Sequence, residues 1–68
     1  MNEDNLNMEI RKFLKKVGIA SQRFIENEII KAEIDGNLKP GQRIELEMTL
    51  CIKSLSAENK IIGEIDTD

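Results

Sequence analysis

The sequence contains no histidine, tryptophan or tyrosine, a single cysteine, a single proline and only two phenylalanines among 68 residues. Each shortage closes a class of function. Without histidine there is no Ser-His-Asp or Cys-His nucleophile system and no histidine-ligated metal. With Cys51 alone, no intramolecular disulfide can form, so the chain lacks the usual staple of a small scaffold and fits a reducing cytoplasm. Two aromatic rings leave little to stack on unpaired bases, which argues against single-stranded nucleic acid as a ligand. Wholly apolar runs are at most a few residues long, too short to span a bilayer, and Met1-Asn2-Glu3-Asp4 lacks the charged-then-apolar pattern of a secretory signal. The expectation is a soluble cytoplasmic protein with no membrane association.

The glycines at 18, 36, 41 and 63 are too scattered to form a phosphate-cradling loop, and no cofactor is expected. Cys51 lies in an alternating segment rather than at a helix N-terminus, so it reads as an inert strand residue. Glu45, Glu47, Glu64 and Asp66, with Asp68 beyond, read as the wet side of a sheet. Carboxylates spread along a flat face discourage edge-to-edge association more readily than they enclose a cation, so no metal site is expected there. A core this small offers little room for a catalytic cleft, and the protein is read as not an enzyme.

What is present begins with a helical pattern. Leu6, Ile10, Phe13, Leu14 and Val17 recur at helical spacing, with Asn2 or Asp4 placed to cap the start and Gly18 placed as a C-terminal cap. Ser21 then reads as the N-cap of a second helix in which Ile25, Ile29 and Ala32 share one stripe, ending near Gly36. Asn37-Leu38-Lys39-Pro40-Gly41 is turn chemistry. From Ile44 to Ile52 the period changes to two, with Leu46, Met48 and Leu50 between, and a shorter strand follows Ser54–Asn59. The expected fold is a single α+β domain over 1–68, ordered α-α-β-β. Two N-terminal helices, about 3–17 and 22–35, join through a tight turn and pack on an antiparallel hairpin of strands about 42–54 and 60–66. One register that keeps the apolar residues on one face sets Ile52 opposite Ile61, Leu50 opposite Gly63 and Met48 opposite Ile65, leaving Ile62 on the polar face.

The net charge of −3 is unevenly spread. Residues 11–23 carry five basic residues and no acidic one, whereas the remainder carries five basic against thirteen acidic residues. Arg11, Lys12 and Lys15 gather around Met8 opposite the Leu6 stripe, with Lys16 at the edge, and Ser21, Gln22 and Arg23 open the expected second helix. A helix-turn-helix would place those three against DNA. The positions that follow, Phe24, Ile25, Glu26 and Glu28, make a poor recognition face beside phosphates, and bulky Leu14 stands where that motif has a small residue. The second helix is apolar on more than one side, so it is expected either to be sandwiched between the first helix and another element or to be covered by a partner, and Phe24, Ile30 and Ile34 are the candidate self-association surface.

Asn2-Glu3-Asp4, Asn7-Met8, Ile10 through Gly18 and Ser21-Gln22-Arg23 resemble the opening of a family of small bacterial proteins, about 65–70 residues long, classed as of unknown function. The likeness continues through Ile25-Glu26, Gly36, Leu38-Lys39, Gly41, Met48-Thr49-Leu50 and Gly63-Glu64-Ile65. It implies a stand-alone bacterial cytoplasmic domain and brings no activity, cofactor or site residue with it. The first reading is therefore a noncatalytic protein-interaction module, with a homodimer as one form of that interaction and the protein partner otherwise unknown. The alternative is a small nucleic-acid-binding regulator using the basic 11–23 segment.

Overall fold

The computed structural model describes residues 1–67, so Asp68 lies outside the described residues. The elements run α1 (Glu3–Ile34), β1 (Arg43–Ile52), a 3-10 turn (Lys53–Leu55) and β2 (Ala57–Asp66). By their internal contacts they fall into two compact units, Met1–Leu38 and Lys39–Asp68.

The first unit corrects the expectation of two helices. Glu3–Ile34 is one α-helix of 32 residues, and it runs through the segment expected to turn. Gly18 is not among the residues with positive φ, a property confined among the glycines to Gly36 and Gly41. A lone glycine inside a helical pattern costs only about 1 kcal/mol relative to alanine, less than the backbone hydrogen bonds a break would expose. No proline enforces a stop, and Val17, Ser21 and Ile25 follow one another at intervals of four, which keeps them on one side of a single helix.

The helix ends follow elementary capping rules. Asn2 is extended, and its Oδ1 accepts the Asn5 backbone N–H at 3.1 Å, with Glu3 and Asp4 in the first turn beside the positive end of the helix dipole. At the other end the Gly36 N–H donates to the Glu33 carbonyl at 3.2 Å and the Asn37 N–H to the Ala32 carbonyl at 2.8 Å. With Gly36 at φ +76, this is the paired bonding of a Schellman cap.

The second unit opens on Lys39-Pro40-Gly41-Gln42. Gly41 has φ +77 and the Gln42 N–H donates to the Lys39 carbonyl at 3.1 Å, as expected for proline and glycine at the two centres of a type II turn. Gln42 Oε1 in turn accepts the Lys39 N–H at 3.1 Å, and the Thr67 hydroxyl donates to the Gln42 carbonyl at 2.6 Å, closing the base of the hairpin.

The strands pair antiparallel from Arg43↔Asp66 to Ile52↔Ala57. This register differs by four residues from the expected one: Ile61 faces Met48, Gly63 faces Leu46 and Ile65 faces Ile44. The cause is the connection. The chain reverses within Lys53–Ser56, with Ser56 left-handed at φ 50 and ψ 40, so β2 starts three residues earlier than expected and gains the pairs with Leu50, Cys51 and Ile52. An even slip preserves which side chains share a face. Ile44, Leu46, Met48, Leu50 and Ile52 therefore line one face with Ile61 and Ile65, while Ile62, opposite Glu47, lies on the charged face.

Candidate interaction surface

The basic residues occupy the first half of α1. Asn5, Met8, Glu9, Arg11, Lys12 and Lys15 line an open depression on one side of the helix, with Met8 70% exposed among the lysine and arginine stems. Lys16 lies farther round. Lys15 and Lys16 are now mid-helix, so the negative end of the dipole falls to Lys31 in the last turn.

Ser21, Gln22 and Arg23 do not form a common surface. On a continuous helix successive residues are turned by about 100° from one another. Ser21 is half-buried in line with Val17 and Ile25, Gln22 extends the row of Met8 and Lys15, and Arg23 lies with Lys12 and Lys16. The helix end that would have presented all three to a DNA groove does not exist, and with it the helix-turn-helix geometry is removed. Arg23 is also relieved of the unfavourable first-turn position, because it stands some twenty residues from the true N-terminus.

The apolar side is longer than either expected helix would have made it. Leu6, Ile10, Phe13 and Leu14 are 42–52% exposed, and the row continues through the half-buried Val17, Ser21, Ile25, Ile29 and Ala32. The signal for this continuity was the unbroken spacing across Gly18. Phe24 is 66% exposed along the same side, whereas Ile30 and Ile34, at 55% and 78%, point away from it. The three residues singled out for self-association thus divide between two sides of one helix.

On the hairpin, Glu45, Glu47, Glu64 and Asp66 share a face as the alternation requires. Arg43 Nη1 donates to Glu64 Oε2 at 2.8 Å, the ion pair found among the described residues. No group of three or more possible metal ligands converges among the described residues. Cys51 is exposed and stands opposite Glu58, with Sγ 4.0 Å from the carboxylate Oε2.

A capped amphipathic helix followed by a two-stranded hairpin defines a small α+β protein whose distinctive features are side-chain surfaces. The chain belongs to the family described as Family of unknown function (DUF6494), which matches it over residues 1–68. No curated protein and no solved structure matches it. No helix among the described residues is long and apolar enough to cross a membrane.

Proposed function

We propose that this protein is a noncatalytic protein-interaction module of the bacterial cytoplasm, and that its contact surface is the apolar side of α1. The observation that supports this reading is that no hydrophobic residue among those described is buried, while Leu6, Ile10, Phe13, Leu14 and Phe24 stay 42–66% exposed along one helix. A helix in a protein draws most of its stability from packing its amphipathic face, and a two-stranded hairpin alone is marginal in water. Apolar rows this extended acquire their stability when a partner covers them. The cytoplasmic setting draws on the unpaired Cys51 and the bacterial one on the sequence resemblance.

Amide hydrogen exchange on the dilute, purified protein tests the reading. The expected result is weak protection across Phe13–Ile29, rising when a binding partner is supplied. Strong protection of that segment in a dilute monomer would mean that the apolar side is already covered within one chain, and the reading would fail.

A further inference from the structure

From Asn5 to Phe24, α1 sorts its residues by chemistry. With successive residues turned by about 100°, Leu6, Ile10, Phe13, Leu14, Val17 and Phe24 fall within an arc of roughly 100°. Both phenylalanines of the chain lie in that arc, and Ser21 is its one polar residue. Arg11 stands on one flank, Lys16 and Arg23 on the other, each roughly 100–120° round from Val17, while Lys12, Lys15 and Ile19 face away from it. Phenylalanine and leucine on one side with lysine and arginine on the other is the make-up of a helix that lies in a membrane surface. Contact of this kind needs no bilayer-spanning run, so the short apolar runs that argue against a membrane span do not exclude it.

The charges point to the kind of surface. Residues 10–25 hold five basic residues and no acidic one. None of the five forms an ion pair among the described residues, where the pair present joins Arg43 to Glu64. Protein interfaces gain specificity from complementary patterns of both signs. This stretch offers a single sign on both flanks of its apolar arc, which suits a diffuse anionic field. A bilayer surface with anionic headgroups supplies one, and each lysine or arginine near it strengthens attachment by about fivefold. The flanking side chains can lay their stems along the apolar layer while their charges reach the phosphates. Beyond Phe24 the match ends. Glu28 lies on the line of Ile10, about five turns further on, and Glu26, Glu33 and Asp35 outnumber Lys31, so an anionic surface repels the last turns of α1.

We propose that the Asn5–Phe24 portion of α1 docks in the plane of an anionic lipid bilayer surface, with Phe13 inward and Arg11, Lys16 and Arg23 at the headgroups. This goes beyond the protein contact proposed above. It shares the premise that the apolar side is open in a single chain and gives that side a second occupant.

Co-sedimentation of the unaltered full chain with vesicles tests the binding, and tryptophan fluorescence tests the orientation. The vesicles are phosphatidylcholine alone, or roughly equal parts of phosphatidylcholine and phosphatidylglycerol. At low salt the mixed vesicles are expected to bind the chain more than about tenfold tighter than the neutral ones. Arg11→Gln with Lys16→Gln should weaken that binding about 25-fold, two factors of about five, and raised salt should weaken it as well. The chain has no tryptophan, so a single one reports its own surroundings. Phe13→Trp is expected to shift to the blue on binding and to be quenched by brominated acyl chains, whereas Ile19→Trp should do neither. Failure to bind the mixed vesicles, or equal binding to the neutral ones, overturns the proposal. A shift at position 19 without one at position 13 overturns it too. No vesicle binding by a dilute chain whose Phe13–Ile29 amides exchange freely removes the lipid occupant and leaves the protein contact standing. Strong protection of those amides in the dilute monomer removes both.

Discussion

Arg43 reaches diagonally across the hairpin to Glu64, its guanidinium 2.8 Å from the carboxylate, and Glu64 itself stands directly opposite Glu45. The ion pair therefore offsets a like-charge cross-strand pair. Both partners are well exposed, which limits the contribution to at most about 1 kcal/mol. Arg43→Glu would add a further carboxylate beside Glu64 and is expected to destabilise the hairpin by about 1 kcal/mol, whereas Arg43→Gln should cost less. Because the effect is electrostatic, the gap between the two variants in a denaturant titration should narrow as salt is raised. A gap that persists at 1 M salt would assign the loss to packing of the arginine stem.

Gly18 separates the continuous helix from the hinged alternative by experiment. Inside a helix, Gly18→Ala removes the entropic penalty of glycine and is expected to raise helix stability by about 1 kcal/mol, with space for the added methyl, since nothing lies within 4 Å of that position. At a left-handed cap the same substitution would destabilise. Far-UV circular dichroism on heating reads the sign. Gly18→Pro should break the helix and lower the signal far more than any surface change, at a cost of about 3 kcal/mol or more.

These two cases mark how far the sequence could be read. The hairpin's faces were legible because a period of two assigns every side chain to a face, and a slip of four residues leaves that assignment intact. The register itself was not, because it depends on where the chain reverses. Lys53–Ser56 contains no glycine or proline, and the polar run through Asn59 suggested a longer loop. On the helix, Gly18 and Ser21 each match a cap signal, and two matching signals three residues apart look like a turn. The stronger signal was the uninterrupted spacing of Val17, Ser21 and Ile25, with Ser21 on the apolar row itself. Of the candidate surface residues, Met8, Arg11, Lys12 and Lys15 come together because they share one side of the first half of α1. Ser21, Gln22 and Arg23 separate because a surface built from consecutive residues needs a helix end.

The real helix end lies at Gly36, whose φ of +76 is one that alanine adopts only with strain. Gly36→Ala is expected to cost about 1 kcal/mol, and its effect should stay local. Amide exchange should accelerate over the last turn, near Glu33 to Asn37, while the amides around Val17 remain as they were. Uniform acceleration along the whole helix would instead show that the Schellman cap sets the stability of α1 as a unit.

The hairpin holds a left-handed conformation in a residue less suited to it. Ser56 is left-handed at φ 50 and ψ 40, and its N–H reaches the Lys53 carbonyl at 3.4 Å, a long bond. A non-glycine residue held in this region costs on the order of 1 kcal/mol, and asparagine or glycine occupies it more readily. Ser56→Gly and Ser56→Asn should therefore both stabilise the hairpin, by up to about 1 kcal/mol. Asparagine should perform at least as well as glycine, because glycine also adds conformational freedom to the unfolded chain. Ser56→Val should do the reverse, since a β-branched side chain is least tolerant of positive φ. Hairpin stability read from cross-strand amide protection orders the variants as Asn and Gly above Ser, with Val below. A valine variant as stable as the parent would mean that the chain reverses by another turn, and the pairing of Met48 with Ile61 would have to change with it.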